Sequence, residues 1–288
     1  MRSFRIFPLA AFLLPLLPLL PGQAQQAASP PLPAIPQLMR EVEEHQKSLE
    51  KVQENYTYSS SQTTEILDGK SQVKKTESTE HEVFFVNSHP IERLVKKNGK
   101  LLSDHDQQKE TERVTKLVEK AEKTPPDQPL EGHVITISVS RILEIMDVRN
   151  PRRENYRGRA TIVFDFVGRK NAKTHGMAED LSKKLQGTIW IDEADREIAH
   201  CDASFDDNFH IAGGLLINIE KGSNFHFDQA PVNGEIWLST GSEFFIQARV
   251  LLAVKGRAHM TERDYGYKRF HVEAQQGKDS KVVVEKKP

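Results

Sequence analysis

The sequence predicts an α+β protein: one strongly curved antiparallel β-sheet, a half-barrel, with a few helices on its concave face. Three observations lead there. Much of the chain beyond residue 56 alternates apolar and polar residues with the period of two that marks a half-buried strand. Hairpin signals recur, as Asp68-Gly69 and Asn98-Gly99, where the turn tolerates positive φ. Helical periodicity is confined to a few segments, so few helices are available to cover a wide sheet. A sheet with helices on one face and water on the other produces this mixture of patterns.

Residues 1–24 read as a signal peptide. Arg2 and Arg5 form a basic start, residues 6–20 an apolar run broken by prolines, and Gly22-Gln23-Ala24 a small-residue cleavage site. Gln25 follows, so no lipoprotein-type cysteine is there to be acylated. The 288 residues carry 40 Lys+Arg and 41 Asp+Glu. Loss of the two leading arginines leaves a slight acidic excess, which argues against nucleic-acid binding. No later stretch reaches the roughly 18 apolar residues of a membrane span. The mature protein is therefore expected to be periplasmic or secreted, and soluble. Cys201 is the only cysteine, so no intramolecular disulfide is possible and the core alone must hold the fold.

Residues 25–36 are rich in Pro, Ala, Ser and Gln and read as a stiff linker. Leu38, Val42, His45, Leu49 and Val52 then line one face of a helix whose other face carries Glu43, Glu44, Lys47 and Glu50. Strands follow over 56–66, 71–87 and 91–97. Ser103 is placed to cap a second helix running to about Lys123, with Asp104 and Asp106 at its positive end and Val114, Leu117, Val118 and Ala121 as its apolar stripe. Thr124-Pro125-Pro126 stops it. A short third helix is expected over 138–146. Past Asn150-Pro151 come strands at 160–167, 188–192, 197–205, 209–219, 225–227, 235–239, 244–254 and 266–273, with a brief helix or loop at 175–186. The domain is expected to span 37–273, and 275–288 to be a charged, disordered tail. Gly187-Thr188-Ile189-Trp190-Ile191 echoes Gly234-Glu235-Ile236-Trp237-Leu238, which reads as two similar hairpin starts in one sheet.

The chain resembles the LolA-like and RseB-type superfamily of periplasmic lipoprotein carriers and sensors. The likeness lies in the exported amphipathic helix leading into Tyr56-Thr57-Tyr58, in the strand–turn–strand from Ile91 to Ser103, and in Gly187-Thr188-Ile189-Trp190-Ile191-Asp192 with its return through Arg196-Glu197-Ile198. It covers much of 37–273 through motifs of low specificity. The resemblance implies a concave apolar surface that shields acyl chains by burial, worth roughly 0.8 kcal/mol per CH₂, without covalent chemistry. The expected role is therefore a cell-envelope carrier of a lipid or lipoprotein acyl chain. The alternative is a non-catalytic sensor or protein-interaction module of the same fold, with an envelope protein as partner.

The apolar cleft is expected to be lined by Phe164, Phe166, Trp190, Trp237, Phe244, Ile246, Val250 and Leu252. Arg149, Arg152, Arg153 and Arg157 form a basic loop suited to an anionic headgroup or an acidic partner. His200-Cys201-Asp202 is the most reactive-looking cluster, but neighbours on a strand point to opposite faces, so His200 is ill placed to activate Cys201. His200, Asp202, Asp206, Asp207, His210 and His226 lack the spacing of a recognised metal motif. No enzyme, cofactor or metal ion is expected.

Overall fold

The computed structural model describes residues 31–125, 128, 130, 143–211, 217–250, 254–271 and 283–284. The signal peptide, Leu252 and most of the expected 138–146 helix lie outside them. Helix α1 (Ile35–Gln53) leads into β1 (Tyr56–Leu67), β2 (Val73–Val86), β3 (His89–Lys97) and the two-residue β4 (Lys100–Leu101). Helix α2 (Asp104–Ala121) follows. Then come β5 (Met146–Tyr156), β6 (Arg159–Gly168), α3 (Met177–Ser182), β7 (Leu185–Asp192), β8 (Ile198–Phe205), β9 (Phe209–Ile211), β10 (Ile217–Ile219), β11 (Asn224–Val232), β12 (Ile236–Val250), β13 (Val254–His271) and β14 (Val283–Val284).

The strands form one antiparallel sheet of order β4-β3-β2-β1-β13-β12-β11-β8-β7-β6-β5. Its ends, β4 and β5, do not pair, so the sheet is not closed into a barrel. The long strand β13 sits between β1 and β12 and joins two meanders that are far apart in sequence. The α+β expectation of an open antiparallel sheet with few helices describes this architecture.

Several boundaries differ from the sequence reading. Residues 209–211 and 217–219 are two paired strands rather than parts of one, with Ile211 opposite Ile217. The expected strand at 235–239 and residues 244–250 of the next form the single strand β12, and β13 begins at Val254, well before Gly266. Alternation breaks at a bulge near Gly241, between Asp228 and Gln229 of the partner strand, which disguises the continuity. Strand β5 runs through Pro151, with Asn150 at positive φ and a register shift between Arg149 and Arg152. The end of a sheet tolerates proline, because the missing N–H is not needed by a neighbour. Of the expected tail, residues 283–284 pair with His271 and Phe270 of β13.

Helix α1 packs across the sheet by its apolar stripe. Leu38, Met39 and Val42 are fully buried against Ile162, Phe164 and Phe166 of β6, Ile189 and Ile191 of β7 and Cys201 and Ala203 of β8. Leu49 and Val52 at the other end rest on Tyr56, Ile236 and Leu238. Each fully buried side chain of this size contributes roughly 1.5–3 kcal/mol. Helix α2 starts as its sequence dictates, the Ser103 side chain accepting from the Asp106 N–H. Val114, Leu117, Val118 and Ala121 pack on Phe84, Val86 and Ile91. Phe84 and Val86 of β2 alternate with Val83 and Phe85, which share the face of Tyr58. The two long helices therefore cover opposite faces of the sheet, which corrects the expectation that the helices share its concave face.

Candidate functional site

Cross-strand register defines the face under α1. Phe166, Gly187, Ala203, Phe225, Phe244, Met260 and Thr64 are successive partners across β6, β7, β8, β11, β12, β13 and β1. The β6–β8 half of this row is core. Phe166 is 3% exposed and lies over Gly187, whose missing Cβ would stand 2.7 Å from the Phe166 ring. The β11–β1 half is only partly covered. Phe225 and Phe244 stack with ring centroids 5.8 Å apart. Beside them, Ile246, Ala258 and Ile66 form the next row, and Ile66 is 38% exposed. Phe225, Phe244, Met260, Ile246, Ala258 and Ile66 thus make a contiguous apolar strip over four strands, rooted in the main core through Phe225 and Phe227.

The strip ends on acid. Two residues beyond Met260, Glu262 accepts hydrogen bonds from Ser60 Oγ at 2.8 Å and from Ser242 Oγ at 3.1 Å. Asp264 follows on the same side, 8% exposed, and burial raises its carboxyl to about 6. At the far end of α1, Glu197 is 4% exposed and burial raises it to about 7. Gln46 and His45 of the helix reach it at 3.5 Å.

Six of the eight expected cleft residues divide three ways. Phe244 and Ile246 belong to the strip. Phe164 and Phe166 fill the core beside it rather than lining open space, because α1 closes on them. Trp190 and Trp237 correct the reading of a single lined face. Each alternates with core residues, Trp190 with Ile189 and Ile191, Trp237 with Ile236 and Leu238, and so points from the opposite side. Trp190 Nε1 donates to Glu154, and Trp237 Nε1 donates to Asp195 beneath the Arg159 guanidinium. The backbone of Val250 pairs with Ile217 and Val254. The echoed glycines are also unlike. Gly187 lies within a strand against the Asp202 carbonyl, whereas Gly234 occupies a turn at φ 72°.

The arginines expected in a basic loop lie instead on strand β5 and, for Arg157, in the turn after it, and they are largely spoken for. Arg152 pairs with Glu154 and Asp165, Arg153 with Glu193 and Arg157 with Asp228. Arg149 is exposed. Local carboxylates therefore neutralise most of the patch that the spacing of arginines had indicated. Cys201 is 6% exposed in the core, and burial pushes its thiol up to about 12. His200 points away from it, to Asp228 and Asp202. Among the described residues no group of three or more His, Cys, Asp and Glu is placed to hold a metal ion.

Two other concavities are open to solvent rather than enclosed. One of about 270 Å³ lies between β3, β4 and α2 (Arg93, Leu94, Leu101, Leu102, Glu110), and one of about 420 Å³ lies by Gly158, Arg159, Asp192 and Glu193. Neither is on the strip.

No protein-family model and no curated protein matches the chain. Among solved structures it is similar to a LolA superfamily protein from Nitrosomonas europaea, at 11% identity and a TM-score of 0.34, over 80% of this chain and 93% of that one. It is similar to an outer membrane lipoprotein-sorting protein domain from Vibrio parahaemolyticus at 8% identity and a TM-score of 0.34, over 84% and 95%. A MucA/MucB complex from Pseudomonas aeruginosa aligns at 8% identity and a TM-score of 0.22, over 78% and 94%. Likenesses this distant concern the course of the chain and carry no weight on ligand or partner.

Proposed function

We propose that this chain is an exported, non-catalytic binding protein that holds an apolar ligand, a lipid or lipoprotein acyl chain, on the partly covered strip of β11, β12, β13 and β1. The observation that supports this reading is the strip itself: Phe225, Phe244, Met260, Ile246, Ala258 and Ile66 present a continuous apolar row on the face that α1 covers only in part. An acyl chain laid along it removes apolar area from water at roughly 25 cal/mol per Å². Export rests on the pattern of residues 1–24. The absence of a catalytic role rests on chemistry. The lone thiol is buried and protonated, and His200 is turned away from it.

Delipidated protein should bind the fluorescent fatty acid dansylundecanoic acid saturably. Phe244→Asp or Ile246→Asp should weaken binding by at least about tenfold, the effect of setting a charge against apolar surface, while the circular dichroism spectrum stays unchanged. No saturable binding by the folded wild-type protein would remove the reading. A protein-interaction role would then be the remaining one, tested by co-purification from envelope extract.

A further inference from the structure

Directly behind the strip, on the other face of the same strands, lies a ladder of histidines and carboxylates. His200 of β8 stands between Asp228 of β11, at 2.8 Å from Nδ1, and Asp202 of its own strand, at 3.2 Å from Nε2. His226 of β11 meets Glu243 of β12 at 3.2 Å. His259 of β13 stands between that same Glu243, at 2.5 Å, and Glu65 of β1, at 3.2 Å. The His200 and His226 rings are 6.1 Å apart. Five strands, β8, β11, β12, β13 and β1, are thus tied side chain to side chain. The ladder residues are chain neighbours of the strip. His226 follows Phe225, Glu243 precedes Phe244, His259 separates Ala258 from Met260, and Glu65 precedes Ile66.

We propose that this ladder is a proton-operated clamp on the strip: as its histidines take up protons, β8, β11, β12, β13 and β1 are held together more firmly and the apolar row on their other side is held in its binding shape. The clamp itself follows from the ladder; its control of ligand rests on the strip being the binding face.

The charges around the ladder give the direction. With the histidines neutral, Glu65, Glu243, Asp202 and Asp228 stand close together as carboxylates. The counter-charge beside them is Arg157, 2.8 Å from Asp228, whose other partner is the Tyr156 hydroxyl. Arg257 and Arg263 share this face of β13, and Arg257 is engaged with Gly69 and Ser71. Tyr156 stacks on His200, Trp190 lies tilted against it, and the two keep it from water. Each proton on a histidine places a positive charge between two carboxylates, or against one in the case of His226. The Glu243 hydrogen bond, followed by that of Glu65, raises the pKa of His259 above its ordinary value. A histidine raised on folding stabilises the fold below its unfolded pKa of about 6.5, and that stabilisation is lost as pH rises through the folded value. Tightening around His259 therefore accompanies acidification, and a titration from about pH 8 to about pH 5.5 spans the ordinary imidazole value while staying above the range in which free carboxylates protonate.

The test is amide hydrogen exchange on full-length mature protein across that range, corrected for intrinsic exchange, with dansylundecanoic acid titrations in parallel. Protection of β11–β13 amides should rise by about tenfold on acidification, affinity for the probe should follow, and His226→Gln/His259→Gln should flatten both while leaving β6 and β7 unchanged. Exchange in β11–β13 that ignores pH, or that responds equally in the variant, overturns the clamp. Exchange that responds while affinity does not overturns its control of ligand. Failure of the probe to bind at any pH removes the binding reading and the control with it, while exchange still decides the clamp. Should the variant not fold, histidine ring titrations of the wild-type protein decide: His226 and His259 titrating independently at ordinary values would sink the clamp.

Discussion

Gly187 has no room for a side chain. A Cβ there would sit 1.9 Å from the Asp202 carbonyl oxygen and 2.9 Å from the Ala203 Cα, both backbone atoms that cannot turn aside. Its neighbours Phe166 and Ala203 come as close as they do because it is bare. Gly187→Ala should destabilise the protein by at least about 2 kcal/mol, as overpacking of a core does, measured by urea unfolding. Gly158 faces open space, and although its φ is +85° the same substitution there should cost only about 1 kcal/mol, the conformational term alone. At Cys201 the lesson is alternation. Residues 200, 201 and 202 look like one reactive cluster in the sequence, yet the strand sends the thiol into the core and the imidazole to the other face. Alternation also decides Trp190 and Trp237: their period of two was readable, but which parity faces α1 was not, since both parities of β6 carry buried residues.

At the scale of elements, the open edge of β3 is the feature needing most protection, because β4 pairs with only its last two residues. Helix α2 supplies it. The Leu94 N–H donates to Glu110 Oε1 at 2.7 Å, and Arg113 donates to the Glu92 carbonyl. Edge backbone groups left bare invite pairing with another chain. Glu110→Ala should speed exchange of the Leu94 amide and cost about 1–2 kcal/mol, the cost of a lost charged hydrogen bond. The other end of the sheet is blunted differently, by Pro151, the shift at Arg149–Arg152 and the arginines themselves. Helix α1 is the opposite case, since almost all of its stripe was legible. Met39, fully buried beside Leu38, and Ile35 at the helix start fell outside the expected stripe. Leu38→Ala should cost about 2–5 kcal/mol, seen as a lowered denaturant midpoint.

At the scale of the molecule, buried acid sets the dependence on pH. Glu197, near 7, and Asp264, near 6, hold their protons longer in the folded chain than the usual carboxylate does, through burial. The folded state therefore binds more protons than the unfolded one between about pH 4 and 7, and stability falls as pH rises through that window. Asp228, Asp165 and Glu154 are lowered in spite of desolvation, by hydrogen bonds and nearby cations. What they contribute is present above the ordinary carboxylate range and is lost as pH falls below it. Thermal unfolding should thus show its highest midpoint near pH 4 and a decline toward pH 8. Glu197→Gln should flatten part of that decline. A midpoint that rises steadily to pH 8 would show that these carboxyls are charged in the fold.

Local pattern in the sequence was enough to determine that strands dominate, that α1 and the capped α2 form where they do, and that the turns at Asp68-Gly69 and Asn98-Gly99 reverse the chain. These depend on neighbours three or four positions away, within reach of periodicity and capping. Only the tertiary structure decided that β13 returns to pair with β1 some 200 residues earlier, that the helices take opposite faces, and that Glu65, Glu243 and the histidines meet behind the strip. Such contacts depend on register between distant strands. A shift of one residue in that register would turn every side chain to the other face, and nothing local in the chain specifies it.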